Sequence, residues 1–149
     1  MQKIIKNFVL TFIYSLFLFT AITAIAAQGK VLTTSTGVKY ITGGIGEEEA
    51  AAMRNMAKDF TLNLVFSEGD GGKITGINAV IYNEQGEVVF RIKGANPLLY
   101  VALPSGKYRV LASYESEKQG YVFEVDATTN KKLILNWKSS GENEDASKE

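Results

Sequence analysis

Between Phe60 and Trp137 apolar side chains recur at every second position in seven short runs, and the segments between the runs are rich in turn-forming residues. In Phe60-Thr-Leu-Asn-Leu-Val-Phe66, alternation puts Phe60, Leu62, Leu64 and Phe66 on one face and Thr61 and Asn63 on the other. Ile77–Tyr82, Glu87–Ile92, Leu98–Leu103, Lys107–Tyr114, Gly120–Val125 and Lys132–Trp137 continue the series. A period of two cannot be a helix, and turn signals spaced by roughly 8–12 residues indicate packed antiparallel sheets. The expected fold is a mainly β, seven-stranded antiparallel β-sandwich of prealbumin-like or Ig-like type. A hairpin is expected at Asn83-Glu-Gln-Gly86, with Gly86 supplying a positive φ. Pro104-Ser-Gly106 is a second tight turn, and the Tyr108 hydroxyl is placed to reach backbone beside it.

One segment breaks the period. After the glycine-rich Thr42-Gly-Gly-Ile-Gly46, the residues Ala50, Met53, Met56 and Ala57 recur at spacings of three and four, which predicts a short amphipathic N-terminal helix over Glu47–Lys58. Thr42 or Gly46 is its expected cap. A glycine loop opening a helix raises the question of phosphate binding, but the third glycine of a dinucleotide fingerprint and the Lys-Ser/Thr of a P-loop are missing. Glu47, Glu48 and Glu49 instead place carboxylates where an anion would sit. The stretch reads as a capped lid on the sandwich, with Glu47 and Glu48 as possible partner contacts.

The chain of 149 residues has neither cysteine nor histidine, which removes disulfides, thiolate nucleophiles, imidazole bases and nearly all zinc and haem chemistry. No cofactor or metal is expected. With 16 basic and 16 acidic residues there is no basic field to gather nucleic acid. Glu68-Gly-Asp70-Gly-Gly-Lys73 has the composition of a calcium loop but too few carboxylates at the wrong spacing, so it reads as a solvated loop. Two carboxylates suffice for glycoside hydrolysis, and Glu47, Glu49, Asp59, Glu84 and Glu87 could supply a pair. Sequence spacing sets no two of them across a cleft. Strand aromatics offer a better route to binding. Tyr82, Tyr100 and Tyr114 are the candidates for an exposed row that stacks on a sugar or a partner peptide.

The N-terminus has Lys3 and Lys6, an apolar run from Phe8 to Ile25, and small residues at Ala24 and Ala26. These features predict a secretory signal peptide over 1–26, cleaved after Ala26, with a retained membrane anchor as the alternative. Membrane contact is expected only through that segment if it stays uncleaved. Residues 27–36 read as a flexible leader, 37–138 as the folded domain and 139–149 as a disordered polar tail.

Leu103-Pro-Ser-Gly-Lys-Tyr108-Arg-Val110, with the earlier Gly76-Ile-Asn-Ala-Val80 and the Asn83–Gly86 turn, resembles carboxypeptidase regulatory-like domains, which have a prealbumin-like fold. From Gly43 to Trp137 the chain also resembles a group of small exported bacterial proteins. These begin GGxGEEE, continue into an alanine-rich helix and end on a strand closing in Trp. Arg91–Val101 departs from the common domain, which has a TDxxGxF-type strand there. The resemblance implies a non-catalytic, periplasmic or secreted accessory module whose partner is an envelope protein or glycan. A carboxylate-dependent glycan-processing enzyme and a purely structural accessory are the alternatives. Oligomeric state has no signature in the residues.

Overall fold

The computed structural model describes residues 29–139, and the expectations for the signal peptide and for nearly all of the polar tail fall outside them. In chain order the elements are β1 (Leu32–Thr33), β2 (Lys39–Gly43), α1 (Glu47–Met56, tightening into a 3-10 turn at Ala57–Asp59), β3 (Leu62–Glu68) and β4 (Gly72–Lys73). Then come β5 (Ile77–Asn83), β6 (Val88–Ala95), β7 (Leu98–Val101), β8 (Gly106–Tyr114), β9 (Glu117–Val125) and β10 (Lys131–Trp137). One sheet has the order β1-β2-β7-β3-β10, with β4 beside the end of β3, and the other has the order β6-β5-β8-β9.

Alternation dictates how the sheets meet. From the first sheet, Leu62, Leu64, Phe66, Leu99, Val101, Leu135 and Trp137 turn inward. Ile77, Ala79, Ile81, Phe90, Val110, Ala112, Phe123 and Val125 answer from the second. All are buried in one continuous core, so the two sheets face each other as in a β-sandwich. Each fully buried aliphatic side chain contributes roughly 1.5–3 kcal/mol, so this layer carries most of the stability.

The expected β5–β6 hairpin forms. Gly86 N–H donates to Asn83 O at 3.0 Å, Asn83 N–H donates to Glu87 O at 2.9 Å, and Gly86 has φ +82°. The Tyr108 hydroxyl does pin the Pro-Ser-Gly turn by donating to Pro104 O at 2.8 Å, while its ring stacks on Phe123 at 5.9 Å. Tyr108→Phe keeps the ring and loses only the hydroxyl bond. It is expected to lower stability by about 1 kcal/mol in a urea unfolding curve, with an unchanged slope.

Three expectations need correction. The described residues hold ten strands, because β1, β2 and β4 were not visible as periodic runs. They are two, five and two residues long, too short for alternation to register. The predicted leader therefore contributes Leu32 and Thr33, paired with Tyr40 and Lys39. The sandwich is also not wholly antiparallel. β10 runs parallel to β3 from the Lys131↔Leu62 pair to Trp137↔Glu68, a direction that periodicity does not encode. Third, Phe60 leaves the face of Leu62, Leu64 and Phe66. The strand starts only at Leu62, and Phe60 packs with the helix instead. Asn63, on the face opposite Leu62 and Leu64 as alternation puts it, is only 5% exposed, because that face is roofed.

Candidate functional site

The roof is α1. Its first turn holds Glu47, Glu48 and Glu49, and Glu49 reaches back to accept from Gly44 N–H at 2.9 Å and Ile45 N–H at 3.2 Å. Gly46 is the cap residue, as one of the two expectations had it, and contributes no side-chain bond. Thr42 instead ties β2 to β7 by donating to Leu98 O at 3.0 Å and accepting from Asn96 N–H at 2.9 Å. From this anchored start the helix lays Ala50 and Met53 on the outer surface of the first sheet, against Ile41, Leu98 and Tyr100, with Phe60 at its far end.

Strand register sets out that outer surface in two rows. Ile41, Tyr100, Asn63 and Lys132 lie side by side across β2, β7, β3 and β10. Gly43, Leu98, Val65 and Ile134 form the next row. The helix covers the β2 and β7 ends of both rows. Toward β10 a cleft of about 410 Å³ remains, with Asn63, Val65, Leu98 and Tyr100 in its lining and the cations Arg54, Lys73 and Lys132 around them.

Asn63 is the unusual group. Its Nδ2 donates to Ala57 O at 3.2 Å, which fixes the orientation of the amide. Asn130 Nδ2 also donates to Ala57 O and to Phe60 O, so the end of the helix is tethered from two sides. No donor among the described residues reaches Asn63 Oδ1. Among those residues the only other buried side-chain atom in this position is Trp137 Nε1, which lies in the inter-sheet core. A buried polar atom without a partner costs about 1–3 kcal/mol, so its presence in a cleft calls for a reason.

The surrounding charges are partly committed. Glu47 pairs with Lys73 at 2.5 Å and with Arg54 at 3.9 Å, while Lys132 has no ion pair among the described residues. The hydrogen bond and charge of Lys73 hold the Glu47 carboxyl below the ordinary range, with a smaller pull from Arg54. Burial pushes the Tyr100 hydroxyl above the ordinary range and Arg54 draws it partly back, so it stays protonated and able to donate at neutral pH.

The predicted site residues separate. Glu47 and Glu48 are exposed and line neither cleft, though Glu47 pairs with Lys73 and Arg54, which do line the cleft at Asn63. Tyr100 is only 3% exposed, so its ring cannot stack on a ligand from solvent; the helix covers it. Tyr82 lies on the outer face of the second sheet with the Arg109 guanidinium 5.2 Å above its ring. Tyr114 packs edge-on against Trp137 at 6.0 Å. These tyrosines occupy three different surfaces, so the expected stacking row does not assemble. Sequence reasoning missed Asn63, Val65, Lys132, Arg54 and Lys73 as a group. Asn63 among alternating apolar residues was the one available sign.

A larger cleft of about 540 Å³ lies between the Asn83–Gly86 and Pro104–Gly106 turns. Several of its polar groups have partners: Asn83 with Glu87, Tyr108 with Pro104, and Lys107 with Glu84 at 4.0 Å. Its lining has one carboxylate, Glu84, and that of the cleft at Asn63 has none. Glu49 is occupied by the helix start. The loop resembling a calcium site forms the β3–β4 hairpin, and among the described residues no group of three or more acids is placed to hold a metal. No helix of the described residues is long and apolar enough to cross a membrane. No protein-family model matches the chain, and no curated protein matches it.

Proposed function

We propose that this chain is an exported, non-catalytic β-sandwich module, periplasmic or secreted, that binds a cell-envelope partner, protein or glycan, through the cleft beside α1. This reading takes up the resemblance of Leu103–Val110 to the carboxypeptidase regulatory-like, prealbumin-like domains. The reading rests on one observation: Asn63, whose buried Oδ1 has no donor among the described residues, is among the residues lining a cleft walled by cations. Binding sites are concave and combine apolar floor with a few convergent polar groups, and this cleft has that composition. Glycan processing is the weaker reading, because a hydrolase needs two carboxylates facing across one cleft.

The test fills the cleft. The exported protein is mixed with peptidoglycan, envelope polysaccharide and envelope protein fractions, and capture is compared with that of Val65→Arg. Val65 is half-buried in the floor, so a long side chain there occupies the ligand's space. The expected result is specific capture by one fraction, lost in the variant. Equal capture of the variant would count against the site. Turnover of an envelope substrate, abolished by one carboxylate substitution, would replace the proposal with the enzyme reading.

A further inference from the structure

From the chemistry of the same cleft we infer that its ligand is an acidic saccharide, a sugar unit bearing a carboxylate or a phosphate. The inference rests on the proposed binding role and adds the ligand class.

Donors and acceptors on the floor set the requirement. In the polar row, Tyr100 and Asn63 are direct cross-strand neighbours, and Lys132 follows on β10. Side chains directly opposite in a sheet are about 4.5–5.5 Å apart at Cβ, close enough for one sugar ring to reach both residues. One hydroxyl donates to Asn63 Oδ1, the acceptor without a partner, and its neighbour exchanges a hydrogen bond with the Tyr100 hydroxyl. No hydrogen bond occupies that phenol among the described residues, and Tyr100 is among the residues lining the cleft.

The second row supplies the apolar contact. Leu98 and Val65 are themselves cross-strand partners, and Ile134 beyond them is 57% exposed. Positions two apart along a strand are roughly 6.6 Å apart, so the two rows run side by side at about the width of a pyranose. A ring laid across them puts its hydroxyl edge on the polar row and its C–H face on the apolar one.

Charge then selects the acid. The lining has three cations and no carboxylate. Glu47 engages Arg54 and Lys73, which leaves Lys132 as the lining cation without an ion pair among the described residues, at the end of the row containing Asn63. An anionic substituent on the sugar pairs there. Other ligands use only part of this surface. A fatty acid has no donor for Asn63, and an inorganic anion has no use for Val65 and Leu98. A nucleotide base needs an open aromatic face, and the Tyr100 ring is covered. An acidic peptide is the remaining rival.

Titration calorimetry on the exported protein with trigalacturonate, glucose 6-phosphate, maltotriose and polyglutamate decides among them. At least one acidic sugar is expected to bind at least about tenfold more tightly than neutral maltotriose, the size of one lost charged hydrogen bond. The tighter of trigalacturonate and glucose 6-phosphate identifies the anion. Lys132→Glu, an exposed change on β10, should weaken acidic-sugar binding by about tenfold or more, whereas Lys118→Glu on the second sheet should leave it within about twofold. Amide shifts on binding should centre on Asn63, Val65 and Lys132. Equal binding of maltotriose, or no effect of Lys132→Glu, overturns the inference. Binding of polyglutamate alone, lost in Val65→Arg, also overturns it while leaving the cleft as a site. Capture of envelope fractions that Val65→Arg leaves intact removes the site itself.

Discussion

Phe66→Ala is expected to destabilise the domain by about 3–5 kcal/mol, the range for deleting a large aromatic from a packed core. Phe66 is 1% exposed at the centre of the inter-sheet layer, with its ring 6.3 Å from that of Trp137. Its removal leaves a hole that neither sheet can close without breaking ladder hydrogen bonds. Thermal unfolding should show a loss of roughly 15 °C or more in Tm. The control is Val122→Ala on the outer face of the second sheet. Val122 is 78% exposed, so the change should stay within about 0.5 kcal/mol. Similar effects for the two substitutions would contradict the placement of the core between the sheets.

Gly44→Ala is the second large effect, expected at about 2–4 kcal/mol from backbone strain and overpacking together. Gly44 has φ +89°, where an L side chain is disfavoured, and a Cβ there would sit 2.7 Å from Leu98 Cγ. Relief would require Leu98 to move, and Leu98 carries both the helix and one wall of the cleft. Two residues on, Gly46 has φ −82°, and a Cβ there would meet nothing within 4 Å. Gly46→Ser supplies a helix cap that Gly46 lacks, so it should be neutral or stabilising by a few tenths of a kcal/mol. Opposite outcomes at these two glycines, read by chemical denaturation, would test how the lid is attached.

The contrast between these glycines shows what the sequence made legible. Thr42–Phe60 reads from the residues as a turn, an acid-rich helix start and an amphipathic stripe, and Ala50 and Met53 are buried in the structure. The β5–β6 hairpin and the tyrosine at the Pro-Ser-Gly turn follow from local chemistry alone, since each bond joins residues four or fewer positions apart. The cleft was not legible in that way. Asn63 meets Lys132 only because β10 pairs with β3 in parallel, and it meets Tyr100 only through β7. Strand order and direction arise from packing, and a period of two contains neither. Tyr82 and Tyr114 failed as site markers, and Tyr100 as a stacking ring, for a related reason. Alternation says that Tyr82 and Tyr100 belong to strand faces, but not which face a helix will cover.

The lid also explains why a polar residue is buried at Asn63 at all. The amide holds the helix end through Ala57 O, but Asn130 makes a bond to the same oxygen, so that task is shared. The unmatched Oδ1 is what distinguishes Asn63 from a structural tether, and on this account it is kept for a ligand.

Asn63→Leu tests that claim most directly, with unfolding and capture by envelope fractions measured on the same variant. Leucine has a similar volume, removes the orphan acceptor, and leaves Ala57 O with Asn130. Stability is expected to be unchanged or raised by up to about 1 kcal/mol, together with loss of capture. A loss of about 2 kcal/mol or more with capture intact would make Asn63 a structural residue and contradict the assignment of the cleft.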